Sequence, residues 1–131
     1  MRKAHGLDPK PDTRNPKRHL MLAKAIARHV RMTPRKAGYV IAPLRQRSVA
    51  EALALLSVTN RRAAKPVAKL VASAFANAKQ RQPELRAEDV VISKVVADEG
   101  PRWKRLRYAA FGRAARVLKR TTHLTVELEK R

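Results

Sequence analysis

The stretch from Pro101 to Arg120 limits this chain more than any other part of it. It holds eight Lys or Arg (Arg102, Lys104, Arg105, Arg107, Arg113, Arg116, Lys119 and Arg120) and no Asp or Glu. Charges without partners are costly to bury, and the few large apolar residues among them cannot cover a core. Good strand sequence brackets the stretch. Val90 to Ala97 is dense in β-branched residues, and from His123 to Glu129 the apolar Leu124, Val126 and Leu128 alternate with Thr125, Glu127 and Glu129. Such a segment reads as a β-ribbon that leaves the domain, pairs its backbone across itself and offers its side chains to phosphates. Two bends suit it. Asp98-Glu99-Gly100-Pro101 has turn chemistry and gives a three-strand meander. Gly112, free to take positive φ, gives one long hairpin. Local chemistry does not choose between them.

The rest of the chain is nearly as basic. Thirty-one Lys and Arg face ten Asp and Glu, a net charge of +21, and between Thr13 and Pro83 the only acid is Glu51. Self-repulsion on this scale calls for a polyanion, and nucleic acid is the commonest one. Composition alone serves RNA and DNA equally, so an architectural DNA-binding protein with β-arms is the rival reading. The absence of cysteine excludes disulfides and thiolate metal sites and suits a reducing compartment. No apolar run approaches the roughly 20 residues of a membrane span, and no membrane partner is expected. The first twenty residues, with Pro9, Pro11 and Pro16 and no apolar segment, resemble neither a signal peptide nor a transit helix.

Along the chain, residues 1–19 read as a basic, proline-rich N-terminal tail that orders only on a partner, and 20–131 as a single domain. Leu20 to Arg31 suits either a strand, through Leu22, Ile26 and Val30 at even spacing, or a helix, through its alanines. Thr33-Pro34 opens a helix whose stripe is Ala37, Val40, Ile41 and Leu44, and which Pro43 keeps short. Ser48 and Glu51 form a capping box ahead of Val49, Ala52, Leu53 and Leu56. Asn60 suits the cap of a third helix, which buries Val67, Leu70, Val71, Ala74, Phe75 and Ala78 and ends at Gln82-Pro83. Helices followed by long strands make an α+β domain with its helices on one face of a small sheet.

No constellation for catalysis or for holding a cofactor emerges. The four histidines are scattered, Asp98-Glu99 fits a turn or a salt bridge to nearby arginines better than a metal site, and the glycines stand singly. The chain reads as a non-enzyme without cofactor or metal. Candidate RNA contacts fall in two groups. Arg28, His29, Arg31, Thr33, Arg35 and Lys36 surround the first helix start, where free backbone N–H groups attract anions. The arm supplies its eight cations together with Thr121, Thr122 and His123. Trp103 and Tyr108, interleaved with cations, suit base stacking as well as cross-strand packing.

These residues resemble a known family, the bacterial-type twenty-second protein of the large ribosomal subunit, over about Ala25 to Glu129. Arg31-Met32-Thr33-Pro34-Arg35-Lys36 is similar to the family's helix-opening motif, and Ser73-Ala74-Phe75-Ala76-Asn77-Ala78 to its small-residue helix. Asp98-Glu99-Gly100-Pro101 with Lys104-Arg105 resembles the start of its arm. Gly112-Arg113-Ala114 and Leu118 to Val126 resemble its return strand. The resemblance implies three helices packed on a small three-stranded antiparallel sheet with a long protruding hairpin at about 98–122. It makes Leu22 to Arg31 a strand and puts the bend near Gly112. It further implies binding to large-subunit rRNA early in assembly, neighbouring ribosomal proteins as partners, and an arm that lines the peptide exit tunnel beside the nascent peptide. The tip would lie near the macrolide site. The compartment implied is the cytoplasm, or an organelle with such ribosomes. The tip departs from the family pattern: Tyr108-Ala109-Ala110-Phe111, ahead of Gly112 and Arg113, stands where the family carries Pro-Arg-Ala and a basic residue. Gly38 replaces a usual arginine and Gln46 a usual glycine. The expectation at the tip is therefore that Phe111 stacks on or wedges against rRNA or tunnel-wall groups.

Overall fold

A computed structural model describes residues 21–131, and the expected tail at 1–19 lies outside the described residues. Strand β1 (Met21–Val30) leads to α1 (Pro34–Ile41), a 3₁₀ turn (Ala42–Leu44), α2 (Val49–Val58) and α3 (Ala64–Arg81). Two long strands follow, β2 (Val90–Tyr108) and β3 (Ala114–Lys130), joined through a 3₁₀ turn at Ala110–Gly112. The sheet order is β1-β3-β2, antiparallel throughout, and the helices cover one face. This is the expected α+β architecture.

Both helix starts fall where the sequence puts them. Thr33 is the N-cap of α1 with Pro34 in its first turn, although the threonine hydroxyl makes no capping bond. Ser48 Oγ accepts from the Glu51 N–H at 3.3 Å at the head of α2. The third start is a correction. Asn60 does not cap α3; Ala63 does, after a turn in which the Arg61 N–H donates to Thr59 O and the Ala64 N–H to Arg61 O.

β1 resolves the ambiguity of its alanines. Ala23 and Ala25 are buried, whereas Ile26 is half exposed. The small residues of the strand face the helices because α3 brings its own Ala74 and Ala78 against the sheet, and only methyl-sized side chains allow that approach. The outer edge of β1 is closed by the same helix. Asn77 Nδ2 donates to Lys24 O (3.3 Å) and Arg81 Nη1 to Leu22 O (2.8 Å), satisfying carbonyls that an edge strand would otherwise display. The outer edge of β2 is covered at its start. The Ile92 N–H donates to Arg47 O, its carbonyl accepts from the Gln46 N–H, and Ser48 bridges Val91. Gln46 adopts φ +60 there, a left-handed backbone that glycine takes more readily.

Of the two possible bends, the chain uses the one at Gly112, with φ +71 there and +58 at Phe111. Asp98 to Pro101 stays inside β2 as a register shift between Glu99 and Arg102. Gly100 is needed for close approach and not for turning. A Cβ at this position would lie 2.5 Å from Thr121 Oγ1 and 3.2 Å from His123 Nε2 on the neighbouring strand.

Candidate nucleic-acid interface

β1 pairs with β3 only as far as Thr122, so beyond it β2 and β3 continue as a two-stranded arm. From Pro101 to Arg116 every residue is exposed. The register reveals how so basic a ribbon holds together. Opposite one another stand Trp103 and Lys119, Lys104 and Leu118, Arg105 and Val117, Leu106 and Arg116, Arg107 and Ala115. Each of these rungs sets a cation against an uncharged side chain, which avoids the cost of like charges directly across a ribbon.

The exception is the rung of Arg102 and Arg120 at the arm's base, and there Glu99 holds both. Its carboxylate pairs with Arg102 Nη2 and, at 3.7 Å, with Arg120 Nη1. The salt-bridge reading of this acidic pair is thus correct for Glu99. The Glu99 carboxyl is held below the ordinary glutamate value, chiefly by the Arg102 hydrogen bond, then by the Arg102 charge, with Arg120 adding a smaller pull. A depressed folded pKa means the bridge contributes fully above the ordinary carboxylate pKa and is lost as pH falls through the lowered value. In an NMR titration Glu99 should therefore have a midpoint below that of a free glutamate. In Arg102→Gln the midpoint should move back up. An unmoved midpoint in that variant would mean that Arg102 is not the cause.

The base of the arm is braced to the end of β1. The His29 N–H donates to His123 Nδ1 (3.1 Å), which leaves the proton of the neutral ring on Nε2, and the two rings meet edge to face at 4.8 Å. His29 itself sits at φ +57, where β1 shifts register and turns toward α1. Thr121 and Thr122, expected as RNA contacts, require a correction. Thr122 is 0% exposed and its hydroxyl donates to Met32 O (2.8 Å); Thr121 is buried and donates to Pro101 O (2.7 Å). Thr122 lies on the helix-covered face with Leu124, whereas Thr121, on the opposite face, ties β3 to β2.

The helix-start group divides. Arg28 is exposed on β1, and Arg35 Nε donates to Tyr39 OH (3.3 Å). The Lys36 and Ala37 N–H groups already donate to Thr33 O, and Pro34 has no N–H. Anion attraction therefore comes from side chains more than from free backbone groups. Arg31, Thr33 and Lys36 join the arm's Lys119 and Arg120 around one open concavity of about 500 Å³. The same concavity takes in Arg62, just ahead of α3, which the sequence reading did not single out. Its signal was faint: the Arg61-Arg62 pair is one basic dipeptide among many.

Trp103 links the two groups. The guanidiniums of Arg31 and Arg105 lie 5.9 and 5.8 Å from its ring centroid, and the ring remains 53% exposed. It stiffens the arm base and keeps surface for a partner. Tyr108 and Phe111, at 98% and 96% exposure, pack against nothing in the domain. Among the described residues no group of His, Asp or Glu could hold a metal ion, and no helix is long and apolar enough to cross a membrane.

A small α+β domain whose last two strands run on as an exposed basic hairpin suits a structural protein that meets a polyanion. Residues 25–129 match the family described as ribosomal protein L22p/L17e. A relative in Desulfitobacterium hafniense (strain Y51), the large ribosomal subunit protein uL22, is 43% identical over 104 residues, covering 79% of this chain and 90% of the relative. The chain belongs to the ribosomal protein L22p/L17e family.

Proposed function

We propose that this chain is a structural constituent of the large ribosomal subunit, where it binds rRNA, assists rRNA assembly and lines the peptide exit tunnel with its arm. Residues 20–131 act as one domain in this reading, residues 1–19 as a basic tail, and the arm extends over about 98–122. The observation that carries it is the arm itself. Its two strands pair with each other, its cations are exposed, and from Pro101 to Arg116 it buries nothing in the core, so its side chains are free for phosphates. Arg102, Lys104, Arg105, Arg107, Arg113, Arg116, Lys119 and Arg120 neutralise rRNA along the arm. Arg28, Arg31, Arg35 and Lys36 do so at the domain, His29 and Thr33 add polar contacts there, His123 contributes at the brace, and Trp103 stacks on an unpaired base or ribose.

At the tip, Tyr108 to Arg113 carry two aromatics, Tyr108 where the family pattern has proline and Phe111 where it has a basic residue, and Ala109 stands in place of an arginine. Phe111 stacks on or wedges against rRNA or tunnel-wall groups, close to the nascent peptide. Its left-handed backbone, uncommon for an aromatic residue, holds the ring clear of the arm. Neighbouring ribosomal proteins complete the surroundings, and the site of action is the ribosome of the cytoplasm or of an organelle.

Sedimentation tests the reading. The tagged full chain should travel with large ribosomal particles and leave them only at high salt, because many phosphate contacts exchange for counterions. In the same fractions a photo-reactive group at position 111 should cross-link to rRNA or to the nascent peptide. Recovery of the chain on chromosomal DNA in place of ribosomal particles would overturn the assignment.

A further inference from the structure

The concavity at the base of the arm is built from three parts of the chain that are distant in sequence. Arg31 and Lys36 come from the start of α1, Lys119 and Arg120 from the returning strand, and Arg62 from the turn ahead of α3. No acid lines it. Among the described residues, Arg31, Lys36, Arg62 and Lys119 have no carboxylate within ion-pairing distance, and Arg120 shares Glu99 with Arg102. Unpaired cations gathered in one hollow repel one another, an arrangement that costs the free protein stability unless an anion enters. Thr33 and Ala63, the N-caps of α1 and α3, both line the hollow, so the positive ends of two helices add to its potential.

The chemistry of the walls says more about the anion. About 500 Å³ with five cations is more room and more charge than one singly charged phosphodiester needs. Met32, Ala63 and Leu118 give the hollow an apolar part as well, suited to a ribose or a base face between two phosphates. Arginine outnumbers lysine here, and its planar fork matches phosphate oxygens in pairs. The hollow also adjoins the exposed Trp103 ring through Arg31, so a strand lying along the arm would meet it without a break.

We propose that this hollow grips a bend of the RNA backbone, two or more consecutive phosphates, and that Arg62 is an RNA-binding residue that closes it from the α3 side. The proposal rests on the rRNA-binding reading above. It adds a point of purchase on the domain that fixes the angle at which the arm leaves along the RNA.

Arg62 suits a clean test, since its side chain is exposed and its replacement removes no core contact. The full chain and its Arg62→Gln and Arg86→Gln variants would be titrated with large-subunit rRNA over a range of salt. Arg86 is also exposed and lies outside the hollow, so it matches the change in net charge. Arg62→Gln should lower the log–log salt slope by about 0.7–0.9, and weaken binding roughly fivefold near 0.15 M salt. Arg86→Gln should leave both nearly unchanged. If the two variants behave alike, the hollow is not an RNA site, while rRNA binding by the chain still stands. If the unaltered chain fails to bind rRNA at all, the broader reading falls with it.

Discussion

Replacing residues 103–119 by Asn-Gly should leave a folded domain that has lost most of its grip on rRNA. Arg102 and Arg120 are register partners, and a two-residue turn of this type joins such partners with the twist that strands prefer. The excised segment has no fully buried side chain, so the melting transition of the domain should stay within a few degrees of its original value. The binding loss follows from charge. Lys104, Arg105, Arg107, Arg113, Arg116 and Lys119 depart together. At about 0.7–0.9 of slope per phosphate contact, six contacts account for roughly 4–5 units of salt dependence, and for about 10³–10⁴ in affinity near 0.15 M salt. Filter binding across a salt series reads both. A folded variant that keeps its slope would move the RNA surface off the arm, and a variant that no longer folds would mean that the arm is part of the core.

The second large effect lies in the sheet. Leu124, on the central strand, is fully buried, and its register partners are Ala27 on one side and Ala97 on the other. Neither alanine can reach into a vacancy, and the alanine-lined approach of α3 on β1 leaves little room for the backbone to close it. Leu124→Ala should therefore fall at the costly end of the range for such truncations, about 3–5 kcal/mol. A small domain has only about 5–15 kcal/mol in total, so the variant should be near the edge of folding. Urea titration, with the midpoint lowered and the m-value unchanged, is the measurement. A loss below about 1 kcal/mol would show that the neighbours repack after all.

Where side chains carry a strong local preference, the sequence was enough. Thr33-Pro34, Ser48 with Glu51, and the alternation of Leu124, Val126 and Leu128 each place an element correctly, because cap chemistry and period-two burial act within a few residues. Alanine carries no such mark. Ala23 and Ala25 face inward only because Ala74 and Ala78 meet them from a helix some fifty residues away, so β1 was equally readable as a helix. Gly100-Pro101 misleads for a related reason: the glycine is there to admit Thr121 and His123 from the adjacent strand, a need that local turn chemistry cannot express. Thr121 and Thr122 look like surface hydroxyls in a basic run until the pairing turns them toward Pro101 and Met32. Arg62 becomes notable only when the starts of α1 and α3 and the returning arm meet. Both basic groups were legible; their convergence was not, since it is a product of topology.

Asn77, Arg81 and the segment of Gln46 to Ser48 shut the edges of the sheet within the domain, yet among the described residues nothing shuts those of the arm. An unpaired ribbon edge is a template for another copy of itself. What keeps two free copies apart is mutual repulsion, and salt weakens that repulsion just as it would weaken the proposed hold on RNA. The unassembled chain is thus at its most vulnerable when its partner is scarce and its charge is screened. If the arm's cations hold rRNA as proposed, colloidal safety and a place in an assembly depend on the same side chains, which favours a cell that makes this protein no faster than there is RNA to receive it.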